Sequence, residues 1–218
     1  MKRFLDVVLS SLALVVLSPF LLPVIAILRY TGEGEIFYIQ ERVGRGGNSF
    51  SLYKFATMLK NSPNIGAGEI TVRGDPRVLP FGKFLRKSKL NELPQLWNIF
   101  IGDMSVVGPR PMVLNTYALY PEKVRQKLNT IRPGLTGIGS IVFRDEERYL
   151  ADRAEPMEFY REHIIPYKSD LELWFVDNNT LWSYIKIIFV TAWVVVFSSS
   201  TIVDRVFDGI PSFPDSLT

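Results

Sequence analysis

Apolar residues run almost unbroken from Phe4 to Leu28, interrupted only by Asp6, Ser10, Ser11, Ser18, Pro19 and Pro23. About 20 helical residues suffice to cross a hydrocarbon core, so the run is long enough. Pro19, however, lies well inside it, where it lacks an N–H and its ring clashes with the carbonyl four residues earlier, which predicts a sharp bend at Ser18-Pro19. Each arm then holds roughly 10 to 15 residues, too few to span alone. Ser18 is placed to bond a backbone group that the proline frees. The pattern predicts a re-entrant helix-break-helix over residues 1–30. Charge agrees, because Lys2 and Arg3 precede the run while Arg29, Arg42 and Arg45 follow it, and basic flanks favour the cytoplasmic side for both ends. A proline-kinked single span would leave one basic flank outside. A cleaved signal peptide needs a small-x-small site that the sequence does not show.

After residue 30 the pattern shortens. Ile36 to Gln40 and Ser49 to Met58 read as extended segments. The Gly-, Asn- and Pro-rich loop from Asn61 to Gly74 belongs on the surface. Phe81 to Ser88 mixes apolar and basic residues, and Glu92 to Ile101 carries Leu93, Leu96, Trp97 and Phe100 at helical spacing, which predicts a buried helix. Pro94 suits its first turn. Asn91 then falls where a cap belongs, and Glu92 at the positive helix end. Met104 to Val107 is strand-like. Ile185 to Phe197 is an apolar run broken by Lys186 and Thr191, with Trp182, Tyr184 and Trp193 in or beside it. It is too short to span. Its aromatic residues fit the membrane interface or packing on the N-terminal hairpin; an ordinary core helix is the rival reading. The fold class expected is α+β, mostly helical. It is one membrane-associated domain with amphipathic interfacial helices, a cytoplasmic catalytic part over 31–197 and a loosely ordered tail over 198–218.

Composition narrows the chemistry. At 218 residues and 47% hydrophobic content, the chain supports a single core plus a membrane element. It has no cysteine and one histidine, His163, which removes thiolate catalysis, Cys-based zinc sites and multi-histidine metal sites. Acid/base and metal work must fall to carboxylates, lysines and hydroxyls. The net charge of +3 fits anionic lipid or phosphorylated substrates. No basic run interleaved with aromatics marks nucleic-acid binding.

Residues 86–111 concentrate the candidates. Glu92 is an acidic centre between basic residues and a rigid turn, Gly108-Pro109-Arg110-Pro111. Prolines on both sides stiffen the backbone at Arg110, and an oriented guanidinium can grip a phosphate in bidentate fashion. Arg132-Pro133-Gly134 presents a second arginine in a similar frame, so the two arginines are expected to converge on a diphosphate. Lys54 and Arg86 are further phosphate candidates, or contacts to anionic headgroups. His163 has no motif around it and reads as structural. Asp103 and Ser105 fit turn capping as well as catalysis.

These segments form an ordered series. They are the basic-flanked Ser18-Pro19 helix, Gln40-x-Arg42-x-Gly44, Tyr53-Lys54-Phe55-x-Thr57-Met58, Asp75-Pro76-Arg77, Leu90-x-Glu92-Leu93-Pro94-Gln95-Leu96, Gly102-Asp103-Met104-Ser105, Gly108-Pro109-Arg110-Pro111 and Arg132-Pro133-Gly134-Leu135-Thr136-Gly137. The series resembles the bacterial sugar transferases, monotopic phosphoglycosyl transferases that act on polyprenyl phosphate, over nearly the whole chain. The resemblance implies transfer of a phosphosugar from a nucleotide sugar, usually a UDP-sugar, to undecaprenyl phosphate at the cytoplasmic face of the bacterial inner membrane. The products implied are lipid-diphosphate-sugar and UMP. It also implies Mg²⁺ held in part by Glu92, and an Asp-Glu pair whose aspartate attacks the β-phosphate.

This chain departs from that pair. Asn91 stands where the family has its aspartate, and a neutral amide is a poor nucleophile and a weak Mg²⁺ ligand. Three readings stay open: Glu92 as nucleophile or as base for direct attack, a deliberately inactivated variant, or a natural relative that lost catalysis. Ala56 also stands where the family often has a basic residue. The rival functions are a catalytically silent membrane partner in polysaccharide assembly and a basic membrane-surface protein. Whether the chain forms a homo-oligomer is not legible.

Overall fold

A computed structural model describes residues 1–65, 75–144, 146–150, 155–197, 202–214 and 217. The chain opens with helix α1, Lys2–Tyr30, about 43 Å long at 1.5 Å per residue. Among the described residues it alone is long and apolar enough to cross a membrane. The break expected at Ser18-Pro19 does not interrupt it, since helical structure continues through Pro19 and Pro23. Ser18 Oγ donates to the carbonyl of Val15 at 2.8 Å, the acceptor that the missing N–H of Pro19 leaves unbonded.

One face of α1 rests on the rest of the protein. Ala13, Leu14 and Leu17 pack on Leu52, Leu96, Ile99 and Met104, and Leu21, Val24, Ile25 and Leu28 pack with Phe55 and Leu85. The other face leaves Phe4, Val15, Val16, Phe20 and Leu22 exposed. Polar anchors hold its start. Lys2 Nζ donates to Asn179, and Arg3 donates to the carbonyls of Ile99 and Phe100. Asp6, fully buried, receives Ser105 Oγ, Val106 N–H and the Tyr184 hydroxyl on Oδ1, each at 2.8 Å. Asp6→Ala would strand buried donors, at about 1–3 kcal/mol for each unsatisfied group. Thermal unfolding in detergent should therefore show a loss of about 3 kcal/mol, with Asp6→Asn losing less.

Strands β1 (Phe37–Val43) and β2 (Ser49–Phe55) form an antiparallel hairpin with Tyr38 opposite Lys54; the expected extended segments are both present. Helix α2 (Pro80–Lys87) follows, then a 3₁₀ turn, Leu90–Glu92, helix α3 (Gln95–Ile101) and strand β3 (Ser105–Val107). Helices α4 (Leu114–Ala118) and α5 (Glu122–Leu128) lead to β4 (Gly134–Thr136), which pairs in parallel with β3. Helices α6 (Ile138–Val142), α7 (Glu146–Leu150) and α8 (Pro156–Phe159) precede a π-helical turn, Tyr160–Ile164. The chain then enters α9 (Ile165–Asp177), α10 (Leu181–Val196) and α11 (Ile202–Val206). Among the described residues the molecule is thus mostly helical with two small sheets.

The main core joins Ile138, Leu171, Phe175, Tyr184 and Ile187 from α6, α9 and α10. Helix α10 buries Tyr184, Ile187, Val190 and Val194 while exposing Trp182, Phe189, Trp193 and Val196. It is a core helix on one side and an aromatic surface on the other. The tail is not loose where it is described. Val203, Phe207 and Leu217 are buried in the main core, Phe207 meets Trp174 edge-on, and Tyr167 donates to the Pro211 carbonyl. Apolar residues spaced among Ser, Asp and Pro supply that docking. Helix α3 also differs from its expected form. It buries Gln95, Leu96, Asn98 and Ile99, while Trp97 and Phe100 stack on each other at the surface. Its N-cap is Pro94, with no side-chain cap from Asn91, because the 3₁₀ turn intervenes. Of the expected surface loop, residues 66–74 lie outside the described residues.

Candidate active site

The site grows from the join between α2 and α3. Lys89 sits at φ 60°, in the left-handed region, an uncommon conformation for a non-glycine residue. It reverses the chain after α2 and begins the turn that holds Asn91 and Glu92. Asn91 is 8% exposed and the Glu92 side chain 17%. Gly82 lets α2 lie close by, since a Cβ there would stand 2.2 Å from the Thr57 carbonyl oxygen. Arg86 on the same helix then reaches Met58, with Nη1 3.7 Å from its sulfur.

Asn98 pins β2 to α3. Its Oδ1 accepts from Tyr53 N–H at 3.1 Å and its Nδ2 donates to the Ser51 carbonyl at 2.8 Å. This fixes the strand that carries Lys54. Arg110 comes from the opposite wall. Gly108 N–H donates to Thr136 O at 2.9 Å and Gly134 N–H to Pro109 O at 2.7 Å, so the two proline turns are clasped backbone to backbone. Arg110 Nη2 lies 3.2 Å from Glu92 Oε1. Arg42 donates to the Pro111 carbonyl at 3.1 Å. A small, open cleft lies between Arg42, Leu52, Lys54, Gln95, Arg110 and Pro111.

The electrostatics are those of an anion site. Burial pushes Lys54 down to about 7, helped by Arg42, Arg110 and Arg86 and opposed by Glu92. Burial would raise Glu92, but Arg110, Lys54 and Lys89 outweigh it and hold the carboxyl below its ordinary range. Arg110 is raised, chiefly by Glu92. Three cations, Arg42, Arg110 and Arg86, act on Lys54 with only Glu92 opposing them, and a phosphoanion would relieve their mutual repulsion.

The structure brings together Asn91, Glu92, Lys54, Arg86 and Arg110, flanked by Gly108, Pro109 and Pro111. It does not bring Arg132 to Glu92. Arg132 Nε donates to the Gly102 carbonyl at 2.7 Å, at the far end of α3. Together with Arg3 it satisfies carbonyls at that C-terminus, where cations are favoured. Pro133 and Gly134 still serve, through the clasp on the Arg110 turn. His163 stacks on Phe159 at 4.7 Å. Asp103 accepts from Asn98, and Ser105 donates to Asp6, so both are structural. Arg42, Asn98, the half-buried Glu146 and Tyr160 and the buried Lys168 and Glu172 are residues that the sequence alone did not single out. For Arg42 the signal was its place in Gln40-x-Arg42-x-Gly44.

Comparison with known proteins gives the site its context. The family model described as bacterial sugar transferase matches residues 1–198. The chain belongs to the bacterial sugar transferase family. Within that family it is 40% identical over 162 residues to the exopolysaccharide production protein ExoY of Sinorhizobium fredii, covering 68% of this chain and 71% of that one. It is 33% identical over 210 residues to the undecaprenyl-phosphate galactose phosphotransferase of Salmonella typhimurium, covering 90% of this chain and 40% of the relative. An uncharacterized sugar transferase of Haemophilus influenzae matches at 33% over 210 residues, 90% of this chain and 41% of its own. The chain therefore spans about two fifths of the longer relatives. The family match takes in α1, the hairpin, both proline turns and the whole cleft.

Proposed function

We propose that the protein transfers a phosphosugar from a UDP-sugar to undecaprenyl phosphate on the cytoplasmic face of a membrane, releasing UMP. The observation that carries this reading is the cleft lined by Arg42, Lys54 and Arg110, beside the Arg110–Glu92 ion pair. Such a cleft suits a diphosphate approached by a second phosphate. Related proteins named for galactose, N-acetylgalactosamine and glucose phosphotransfer to undecaprenyl phosphate support the substrate class.

The lipid side rests on exposed apolar residues of the elements that carry the site. Phe84 on α2, Trp97, Phe100 and Ile101 on α3, and Phe37 and Ile39 on β1 are all exposed. With the outer face of α1 they form a surface suited to the headgroup and acyl boundary. Both ends of α1 are anchored to the same domain, which favours a re-entrant or in-plane helix over a straight crossing.

In the transfer, an oxygen of the lipid phosphate bonds to the β-phosphorus while the bond from that phosphorus to the UMP oxygen breaks, and its electron pair leaves with UMP. Asn91 supplies no anionic nucleophile. Glu92, ion-paired with Arg110, is a weak one, so direct attack by the lipid phosphate fits these residues best. Arg110 and its neighbours offset the charge of the two approaching anions. Among the described residues no cluster of three metal-ligating side chains exists, so Mg²⁺ fits only with Glu92, the Asn91 amide oxygen and substrate phosphates as donors. When bound, it would neutralise phosphate charge.

The test is label transfer. With a UDP-sugar labelled in the β-phosphate, the label should enter the chloroform phase only when undecaprenyl phosphate is present. A silent partner, the reading Asn91 supports, would bind substrate and transfer nothing.

A pH prediction follows from Lys54. A bound diphosphate favours its charged form, so above about pH 7 binding must take up a proton and affinity should fall by up to about tenfold per pH unit. Calorimetric titration of UDP-glucose between pH 7 and 8.5 in buffers of different ionisation enthalpy should show proton uptake, absent in Lys54→Met.

A further inference from the structure

A second recess shares Arg110 with the phosphate cleft. Val43, Met112, Leu128 and Ile131 give it apolar walls, and among the described residues Tyr117 and Asn129 join Arg110 as its polar side chains. Asn129 is held in place. Its N–H donates to the Arg125 carbonyl at 3.0 Å, its carbonyl accepts from Gly46 N–H at 2.8 Å, and its Oδ1 accepts from the Tyr117 hydroxyl at 2.8 Å. Gly46 and Gly47 take φ of 78 and 77°, a region that glycine enters freely, and so turn the hairpin tip onto Asn129. One donor stays free. Asn129 Nδ2 makes no hydrogen bond among the described residues and is not sealed from solvent. Arg125 supports Tyr117, its guanidinium carbon 5.7 Å from the ring centre.

These groups suit a flat, weakly polar ring. Apolar walls with one placed donor offer a nucleobase a packing surface and a hydrogen bond. A sugar fits poorly, because several of its hydroxyls would meet apolar side chains and lose their hydrogen bonds. The order along β1 agrees. The strand begins at Phe37 and Ile39, on the lipid side, and ends at Val43 in the recess. In-line displacement sets the leaving group opposite the attacking oxygen, so a lipid phosphate arriving at one end sends the departing nucleotide toward the other.

We propose that this recess is the nucleobase subsite, where the uracil ring lies against the apolar walls and one of its carbonyls accepts from Asn129 Nδ2. The assignment rests on the reading of the cleft as a diphosphate site. Uracil presents a carbonyl where cytosine presents an amino group, which makes Asn129 a specificity residue. Affinities of the full chain in nanodiscs for UDP, CDP, UDP-glucose and pyrophosphate should be measured for the unaltered protein, Asn129→Ala and Asn129→Asp. The unaltered protein should prefer UDP to CDP by at least about fivefold. Asn129→Ala should weaken UDP and UDP-glucose alike, by about three- to tenfold, erase that preference, and leave pyrophosphate within about twofold. Asn129→Asp, whose carboxylate accepts where the amide donates, should turn the preference toward CDP. Equal binding of UDP and CDP by the unaltered protein would overturn the subsite, however the variants fold. So would losses in Asn129→Ala that are equal for UDP and pyrophosphate, which a merely structural residue gives, or losses confined to UDP-glucose, which place the sugar there instead. Binding of neither UDP nor pyrophosphate by the unaltered protein would remove the diphosphate reading and this inference with it.

Discussion

Arg110→Ala is expected to weaken UDP-sugar binding by about two to three orders of magnitude. Hydrogen bonds to charged groups contribute about 1.5–3 kcal/mol each, and a guanidinium can supply two to one phosphate. The alanine variant also strips Glu92 of the partner that Arg110 Nη2 provides at 3.2 Å. Burial would then raise the Glu92 carboxyl. Arg110→Lys should recover part of the affinity, because the charge returns without the planar fork. Titration of UDP-glucose into the nanodisc-embedded protein measures both. Affinity unchanged within about threefold in Arg110→Ala would show that the arginine does not meet the substrate.

Gly134→Ala should be among the most damaging single methyl additions at the described glycines. Its Cβ would stand 2.0 Å from Gly108 N and 2.5 Å from Thr136 O. These are backbone atoms of the paired turn and cannot rotate away as a side chain would. Overpacking usually costs about 1–3 kcal/mol, and a clash with the backbone belongs above that range. For a chain of this size, a loss above about 3 kcal/mol lowers the melting midpoint by at least about 6 °C. Much of the variant should fail to fold. A melting midpoint within about 2 °C of the parent would contradict the clasp between the two turns.

The same two turns show how far the sequence carries and where it stops. Prolines beside Arg110 and Arg132 announce rigid backbone, because the ring constraint is local. Rigidity does not give direction. Arg110 turns to Glu92 while Arg132 turns to the Gly102 carbonyl, a choice made by the packing of β3 and β4 against α3. The apolar run of α1 and the two extended segments were legible because their patterns are local, whereas the pairing of the segments into a hairpin was not read. Continuity through Pro19 was not legible, since the Ser18 bond is compatible with a break or with a continuous helix, and α1 packs on the domain both before and after Pro19. The tail misled because Val203, Phe207 and Leu217 are sparse among polar residues, and only the tertiary fold gathers them. The Glu146, Lys168 and Glu172 group comes from segments without a shared motif, so it exists only in three dimensions.

Asn91 sits at the centre of the account, since the cleft is otherwise equipped for phosphate chemistry while the residue best placed to attack is neutral. The decisive measurement is UMP release from UDP-glucose, UDP-galactose and their N-acetylamino counterparts, with Mg²⁺, in nanodiscs with and without undecaprenyl phosphate. The unaltered protein, Asn91→Asp and Glu92→Gln should be compared side by side. UMP is expected from the unaltered protein with at least one sugar and only when the lipid acceptor is present, with faster release from Asn91→Asp and none from Glu92→Gln. Lipid-dependent UMP from neither the unaltered protein nor Asn91→Asp, with both folded and every sugar tried, would contradict this expectation.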